Sequence, residues 1–412
     1  MAELEIIQVE KSNEPMGIKV NKDKIVFLLP KVYQIPQDEN VLRKELLRFV
    51  CSLALANTRE YANTAQVIDE SLGTSWPVLS FLWIIRDFLE NGIFYSREKQ
   101  FTNDSKGKID WKRTLKTVPV ISSENIIYDH PVTSRIMSTE DIISQIYKVC
   151  LKISVDCFGW AFNYNIPVEV NRTKTVAEMS YVIKKELSAT FDDIKKIRYR
   201  HMLAILQGID DNNLLSSEYT YTITNYYYVF ETMVDILLDG IKGDEKLKYN
   251  PKAKWNLMGV ASNDGPAPLR PDTIYKKDDS NIYIFDSKMY KFGFSADEKD
   301  LPGTDSIQKQ ITYGDHIFFN VLGKKGHVSN SFILPYNKAL PMFKNNVDIE
   351  KYMEGNIVYV GYAEPTWREF SDERYNFIHT ILIDFNYLLS NYDSKTSTII
   401  DEICKIIDSK NI

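Results

Sequence analysis

Two aspartates and a lysine carry the strongest chemical signal in this chain. Between Arg270 and Lys288, two extended runs, Thr273–Lys276 and Ile282–Phe285, flank the polar cluster Lys277-Asp278-Asp279-Ser280-Asn281. β-Branched and aromatic residues on either side of an Asp/Ser/Asn cluster predict a β-hairpin. Asp272 opens the first strand; Asp286 and Lys288 close the second. A spacing of two puts the Asp286 and Lys288 side chains on one face of the sheet. Antiparallel pairing around this loop brings Asp272 opposite Asp286. Two adjacent carboxylates repel each other and attract a hard divalent cation. Mg²⁺, which keeps several waters on one or two carboxylates, suits phosphoryl chemistry. A neighbouring lysine could steady a pentacovalent phosphate or help deprotonate the attacking water. The bland alternative is a surface hairpin ending in a solvated ion pair.

Pro271-Asp272, thirteen intervening residues and Asp286-Ser287-Lys288 resemble the PD-(D/E)xK motif of the restriction-endonuclease-like nucleases. Their core runs helix, three strands, helix, strand, so the neighbouring elements matter. Asn225–Gly240 predicts an amphipathic helix, with Phe230, Val234, Leu237 and Leu238 buried and Gly240 as its stop. Glu231 falls just off that stripe. The resemblance implies a further acidic ligand there, and the alternative is an ordinary exposed helix glutamate. Lys252–Met258 is expected as the first strand. Asp305–Asn320 predicts a helix capped by Asp305 or Ser306. Gln310 and Tyr313 lie one turn apart on it and can both face the open end of the hairpin. The resemblance implies that this pair orients a phosphate or the attacking water. Ser331–Tyr336, the fourth core strand, and Asn356–Tyr362 are expected strands.

The 412 residues suggest two or three domains, and an apolar share of 44% is ordinary for a globular chain. No stretch approaches a transmembrane span, and Met1-Ala-Glu-Leu-Glu5 lacks a signal-peptide pattern, so a cytoplasmic protein is expected. Cys51, Cys150, Cys157 and Cys404 are scattered, as are the five histidines, which argues for free thiols over a zinc site. Residues 1–215 balance to zero charge, and residues 216–412 carry the whole net −6. Any DNA-facing positive charge must therefore be local.

Ahead of the nuclease motif, Ile25–Leu29 reads as a strand and Val41–Leu55 as a helix. Trp76–Asn91 reads as a second helix, with Ser75 as cap, Pro77 in the first turn and Gly92 as stop. Phe94–Phe101 is an expected strand, residues 139–158 a helix, and Thr175–Gln207 two helices. Within the last, Lys195–His201 is basic; it could touch DNA phosphates, but a charge run on a helix is more often its solvated side. Gly208–Glu218 is polar and turn-rich and marks the expected boundary between domains 1–215 and 216–412. Lys106, Lys108, Lys112, Arg113 and Lys116 surround Trp111 in the most basic stretch. It is either a phosphate-contacting segment or a solvated turn with Trp111 in a local core. Glu373–Tyr392 and Ser397–Ser409 are expected C-terminal helices covering the sheet.

Phe27-Leu28-Leu29-Pro30-Lys31, Gly107–Thr114 and the motif further on together resemble the LlaJI family of restriction endonucleases. Such nucleases resemble McrC-type subunits, which work beside a GTP-driven partner. The sequence has no Gly-rich phosphate loop ending in Lys-Ser/Thr, so a motor would be a separate GTPase chain. The expectation is an α/β protein. A restriction-endonuclease-like core, a mixed central sheet flanked by helices, follows a mostly helical α+β N-terminal domain that binds DNA or a partner. The resemblance implies a type II, Mg²⁺-dependent enzyme cutting double-stranded DNA, as a homodimer on DNA, in a bacterial restriction-modification system. Asp272, Asp286, the Ser287 carbonyl and Glu231 would hold the ion; Lys288, Gln310 and Tyr313 would serve the reaction. Two rivals stand beside it. One is a nuclease-like fold that binds DNA without cutting. The other is an unrelated enzyme with a chance hairpin, which predicts Asp272 and Asp286 far apart.

Overall fold

The computed structural model describes residues 3–11, 13–21, 24–57, 77–103, 107–122, 125–139, 142–162, 170, 174–216, 218–256, 258, 267–339, 353–368, 374–394 and 398–410. The chain divides into two compact units, Thr74–Tyr219 and a second made of Ala2–Gly73 with Thr220–Ile412. The first 73 residues, expected with the N-terminal half, thus cluster with the C-terminal unit. Strand pairing explains this. β1 (Glu3–Val9), β2 (Met16–Val20) and β3 (Lys24–Pro30) form a sheet in the order β1-β3-β2 whose last strand is β9 (Tyr219–Ile223). Gly17 permits that closeness: φ is +151°, and a Cβ there would lie 2.1 Å from the Tyr221 carbonyl oxygen. The following helix α1 (Glu39–Leu53) is capped by Asp38, whose carboxylate accepts from Asn40 N and Val41 N.

The Thr74–Tyr219 unit begins with α2 (Val78–Asn91), ended by Gly92 as the sequence predicts. Ser75 and Trp76, its expected start, lie outside the described residues. β4 (Ser96–Thr102), β5 (Lys108–Ile109), α3 (Trp111–Thr114), β6 (Val120–Ser122), β7 (Asn125–Ile127) and β8 (Thr133–Thr139) follow. β8 pairs antiparallel with both β4 and β5. Helices α4 (Ile142–Phe158), α5 (Val176–Ala189), α6 (Asp193–Gln207) and the short α7 (Asp211–Ser216) complete the unit. Lys195–His201 is not simply a solvated face. Arg198 is buried and holds Asp87 with two bonds of 2.8 Å, and the His201 ring stacks on Trp83 at 4.5 Å.

The larger unit is built on a six-stranded mixed sheet. Helix α8 (Tyr226–Leu237) precedes the hairpin β10 (Thr273–Lys276) and β11 (Asn281–Ser287). A one-turn α9 (Phe292–Ser295) and α10 (Thr304–His316) cross over to β12 (His327–Tyr336). β13 (Met353–Glu354), β14 (Ile357–Ala363), β15 (Ile378–Asp384), α11 (Phe385–Asn391) and α12 (Ile399–Ser409) close the chain. The strand order is β10-β11-β12-β15-β14-β13. β11, β12 and β15 run parallel, and the outer pairings are antiparallel. Ile274, Ile282 and Ile284 pack with Tyr313, Ile317 and Phe318, the last two in the turn after α10, on one face of the sheet.

Three expectations need correcting. Lys252–Asn256 is irregular rather than a strand, and Leu257 lies outside the described residues. Residues 378–384 are strand β15, not part of a long helix; each is buried, so the run shows no period that sequence could read. Neither Asp305 nor Ser306 caps α10, whose N-cap is Gly303.

Candidate nuclease site

The hairpin pairs in the predicted register. Thr273 lies opposite Phe285, so the next pair along the ladder is Asp272 and Asp286, just beyond β10. Lys288 follows two residues later, its own N–H bonded to the Ile333 carbonyl at 2.9 Å, which extends the β11–β12 ladder. The three side chains meet. Lys288 Nζ lies 2.8 Å from Asp286 Oδ2 and 3.9 Å from Asp272 Oδ2. Ser287 N–H donates to Asp272 Oδ2 at 3.0 Å, fixing that carboxylate across the strands. The chance-hairpin rival predicted the two aspartates far apart, and that prediction is not met.

The electrostatics follow from burial. Asp286 is only 7% exposed. Burial, then the Asp286 charge, pushes the Asp272 carboxyl up to about 7, against the pull of Lys288 and the Ser287 N–H. Burial raises Asp286 as well; Lys288 and the bond with Asp272 offset part of this, and the Glu231 charge adds to it. Burial works against the Lys288 ammonium too, but Asp286 and Asp272 outweigh it and hold its pKa above the ordinary range. One ammonium thus faces more negative charge than it balances.

Glu231 is buried on α8, which removes the exposed-glutamate alternative. Among the described residues no three His, Cys, Asp or Glu side chains are grouped to hold a metal ion, and the Glu231 charge raises Asp286. Gln310 is fully buried on α10, and neither end of its amide has a hydrogen-bond partner among the described residues. Its main-chain carbonyl accepts from Asn330 Nδ2 at 2.9 Å. Tyr313 packs into the core below the hairpin, and its hydroxyl donates to the Arg270 carbonyl at 3.2 Å, two residues before Asp272. It therefore positions the chain that carries Asp272.

Sequence reasoning missed Lys246. Its ammonium donates to the Asp272 main-chain carbonyl at 2.6 Å and sits 3.9 Å from Asp235 Oδ1. Nothing in the sequence marks a lysine whose partner is a peptide carbonyl 26 residues away.

In the other unit, Lys108, Lys112, Arg113 and Lys116 are all exposed, and Lys106 lies outside the described residues. Trp111 is 59% exposed, so it does not form the local core offered as the alternative. Asp110 caps α3 by accepting from Arg113 N–H, and the Arg113 guanidinium lies 3.6 Å from the Phe101 ring centre.

The aspartate pair could hold a hard cation. Two oxygen donors are held together beside one lysine, and burial is the first cause of their raised pKa values. Hard oxygen ligands in small number suit Mg²⁺.

A curated relative, the type II restriction enzyme BsuMI component YdjA of Bacillus subtilis (strain 168), is 24% identical over 353 residues, covering 80% of this chain and 73% of that protein. Among solved structures, a half-complex of Thermococcus gammatolerans McrB AAA+ hexamers with bound McrC aligns over 96% of this chain and 82% of that one, at 12% identity and a TM-score of 0.41. The Thermococcus gammatolerans McrBC complex aligns over 53% of this chain and 63% of that one, at 13% identity and a TM-score of 0.23. At these scores neither structure bears on the fold. The family model described as LlaJI restriction endonuclease matches residues 16–360, which span both the basic stretch and the aspartate–lysine hairpin. The chain belongs to the LlaJI restriction endonuclease family.

Proposed function

We propose that this protein is a Mg²⁺-dependent endonuclease that hydrolyses DNA phosphodiester bonds at a specific sequence, as a type II enzyme of a bacterial restriction-modification system. The meeting of Asp272, Asp286 and Lys288 at one end of a buried hairpin carries this reading. The order α8, β10, β11, α10, β12, with β12 parallel to β11, supports a restriction-endonuclease-like core. Its expected first strand, Lys252–Met258, is irregular over Lys252–Asn256.

Asp272 and Asp286 would hold Mg²⁺, with the Ser287 carbonyl as a further ligand and Glu231 reaching it through water. The ion supplies positive charge against a phosphate oxygen. Lys288 orients the attacking water for in-line displacement and stabilises the crowded phosphate as charge builds. Gln310 offers an unsatisfied amide for the same phosphate or water, and Tyr313 keeps Asp272 in place. Lys108, Lys112, Arg113 and Lys116, with Lys106, would contact DNA phosphates away from the reaction. A homodimer on DNA would bring two such sites to the two strands.

Plasmid cleavage by purified protein with Mg²⁺ tests the proposal. Lys288→Ala should lower the rate by about 10²-fold or more while DNA affinity stays near wild type. Undiminished cutting by Lys288→Ala would remove that residue from the mechanism. Calorimetry showing no uptake of Mg²⁺ or Mn²⁺ would favour a DNA-binding protein that does not cut. Cleavage appearing only with a separate GTPase would point to a motor-dependent nuclease subunit.

A further inference from the structure

A second polar site lies on the opposite face of the same sheet. Asp286 shares its face with Phe332, its partner on β12. Ser329 and His379 lie on the other face, because Ser329 pairs with Tyr283 and His379 with Ser331. There a shallow pocket is lined by Ser329, Arg374, His379, Asp408 and Lys410, with Phe377 and Ile407 as apolar walls. Its floor is built: Ser329 and His379 are each only 5% exposed. His379 Nδ1 is 3.2 Å from the Tyr359 hydroxyl, which fixes the ring. The one carboxylate is already answered. Asp408 accepts from the Tyr283 hydroxyl at 2.9 Å through both oxygens and pairs with Lys277 at 3.2 Å. Arg374 has no acidic partner among the described residues, and the Lys410 ammonium sits 5.0 Å from the Tyr359 ring centre. The pocket therefore combines two cations and two buried hydrogen-bonding side chains, with its acid neutralised.

We propose that this pocket binds a small oxyanion of the phosphate class, held by Arg374 and Lys410 at the mouth and by Ser329 and His379 at the floor. Planar guanidinium and ammonium donors suit a multiply charged tetrahedral anion, and charge-assisted bonds are the stronger kind. The site is separate from the aspartate pair, so the proposal stands whether or not the chain cuts DNA.

The test titrates inorganic phosphate into the full-length protein in low-salt chloride buffer with EDTA, followed by calorimetry and by histidine side-chain NMR. The expected result is saturable binding that moves the His379 resonances. Arg374→Ala/Lys410→Ala, at one exposed and one half-buried position, should weaken it by roughly tenfold or more. Lys288→Ala, at the other face, should leave it unchanged. Equal binding by the double variant, loss of binding in Lys288→Ala, or no saturation by about 20 mM phosphate would each overturn the proposal. Competition by a 5′-phosphorylated duplex, but not by its dephosphorylated form, would identify a DNA end as the source of the anion. Its absence would leave free phosphate as the ligand.

Discussion

Asp272 is the residue on which stability and the proposed metal binding meet. Its carboxyl is raised to about 7 in the folded protein, against an unfolded value of about 4. The fold thus prefers the protonated form. Its stabilising contribution is full below the unfolded value and is lost as pH rises through the folded one. In EDTA the melting temperature should fall between about pH 4 and pH 7, and Asp272→Asn should flatten that fall. Mg²⁺ should raise the melting temperature of wild type at pH 8, above the Asp272 value, and raise that of Asp272→Asn far less. A wild-type melting curve indifferent to Mg²⁺ at pH 8 would argue that the pair holds no ion. The trio itself was legible because two rules sufficed: alternation along a strand and registry across a hairpin. Lys246 and the burial of Glu231 were not, since each depends on which distant backbone or helix the hairpin packs against.

At the scale of elements, legibility followed exposure. Amphipathic helices such as α1 and α8 declare a stripe, and caps and stops such as Gly92 mark their ends. β15, buried throughout in the middle of the sheet, has no polar face to show and was read as helix. The basic run on α6 misled for the opposite reason: its charge density suggested solvent, while Arg198 turns inward to Asp87, 111 residues earlier. Burial raises the Asp87 carboxyl, but the Arg198 bonds outweigh it and hold the pKa below the ordinary range; Tyr147 adds a bond of 3.0 Å. The Arg198 guanidinium also lies 4.4 Å from the Phe94 ring centre. Removing the arginine leaves a buried carboxylate with only a hydroxyl and an amide. Arg198→Ala should therefore destabilise the Thr74–Tyr219 unit by about 3–5 kcal/mol, measured by denaturant unfolding. Asp87→Asn/Arg198→Met, which removes both charges, should recover part of that loss. Equal stability of Arg198→Ala and wild type would mean that the pair contributes nothing.

Over the whole molecule, charge raises a problem that local structure answers. A chain with net charge −6 is repelled by DNA at long range, so association must rely on a patch smaller than the molecule. The exposed side chains of Lys108, Lys112 and Lys116, grouped around the short helix α3, form such a patch, and the exposed Trp111 adds an apolar surface among them. The sequence showed the cluster but not its exposure, because a tryptophan amid lysines reads equally well as a core plug. If these lysines contact phosphates, each displaces counterions and steepens the salt dependence of binding by about 0.9 in the log–log slope. Replacing all three with alanine should then lower the slope by up to about 3 and weaken binding across all DNA sequences alike. The hairpin chemistry should survive, so cleavage at low salt and high DNA concentration should approach the wild-type rate. Fluorescence anisotropy with a labelled duplex over a salt series measures the slope, using Lys288→Ala as the background to prevent cutting. An unchanged slope in the triple variant would place the DNA-binding surface elsewhere on the protein.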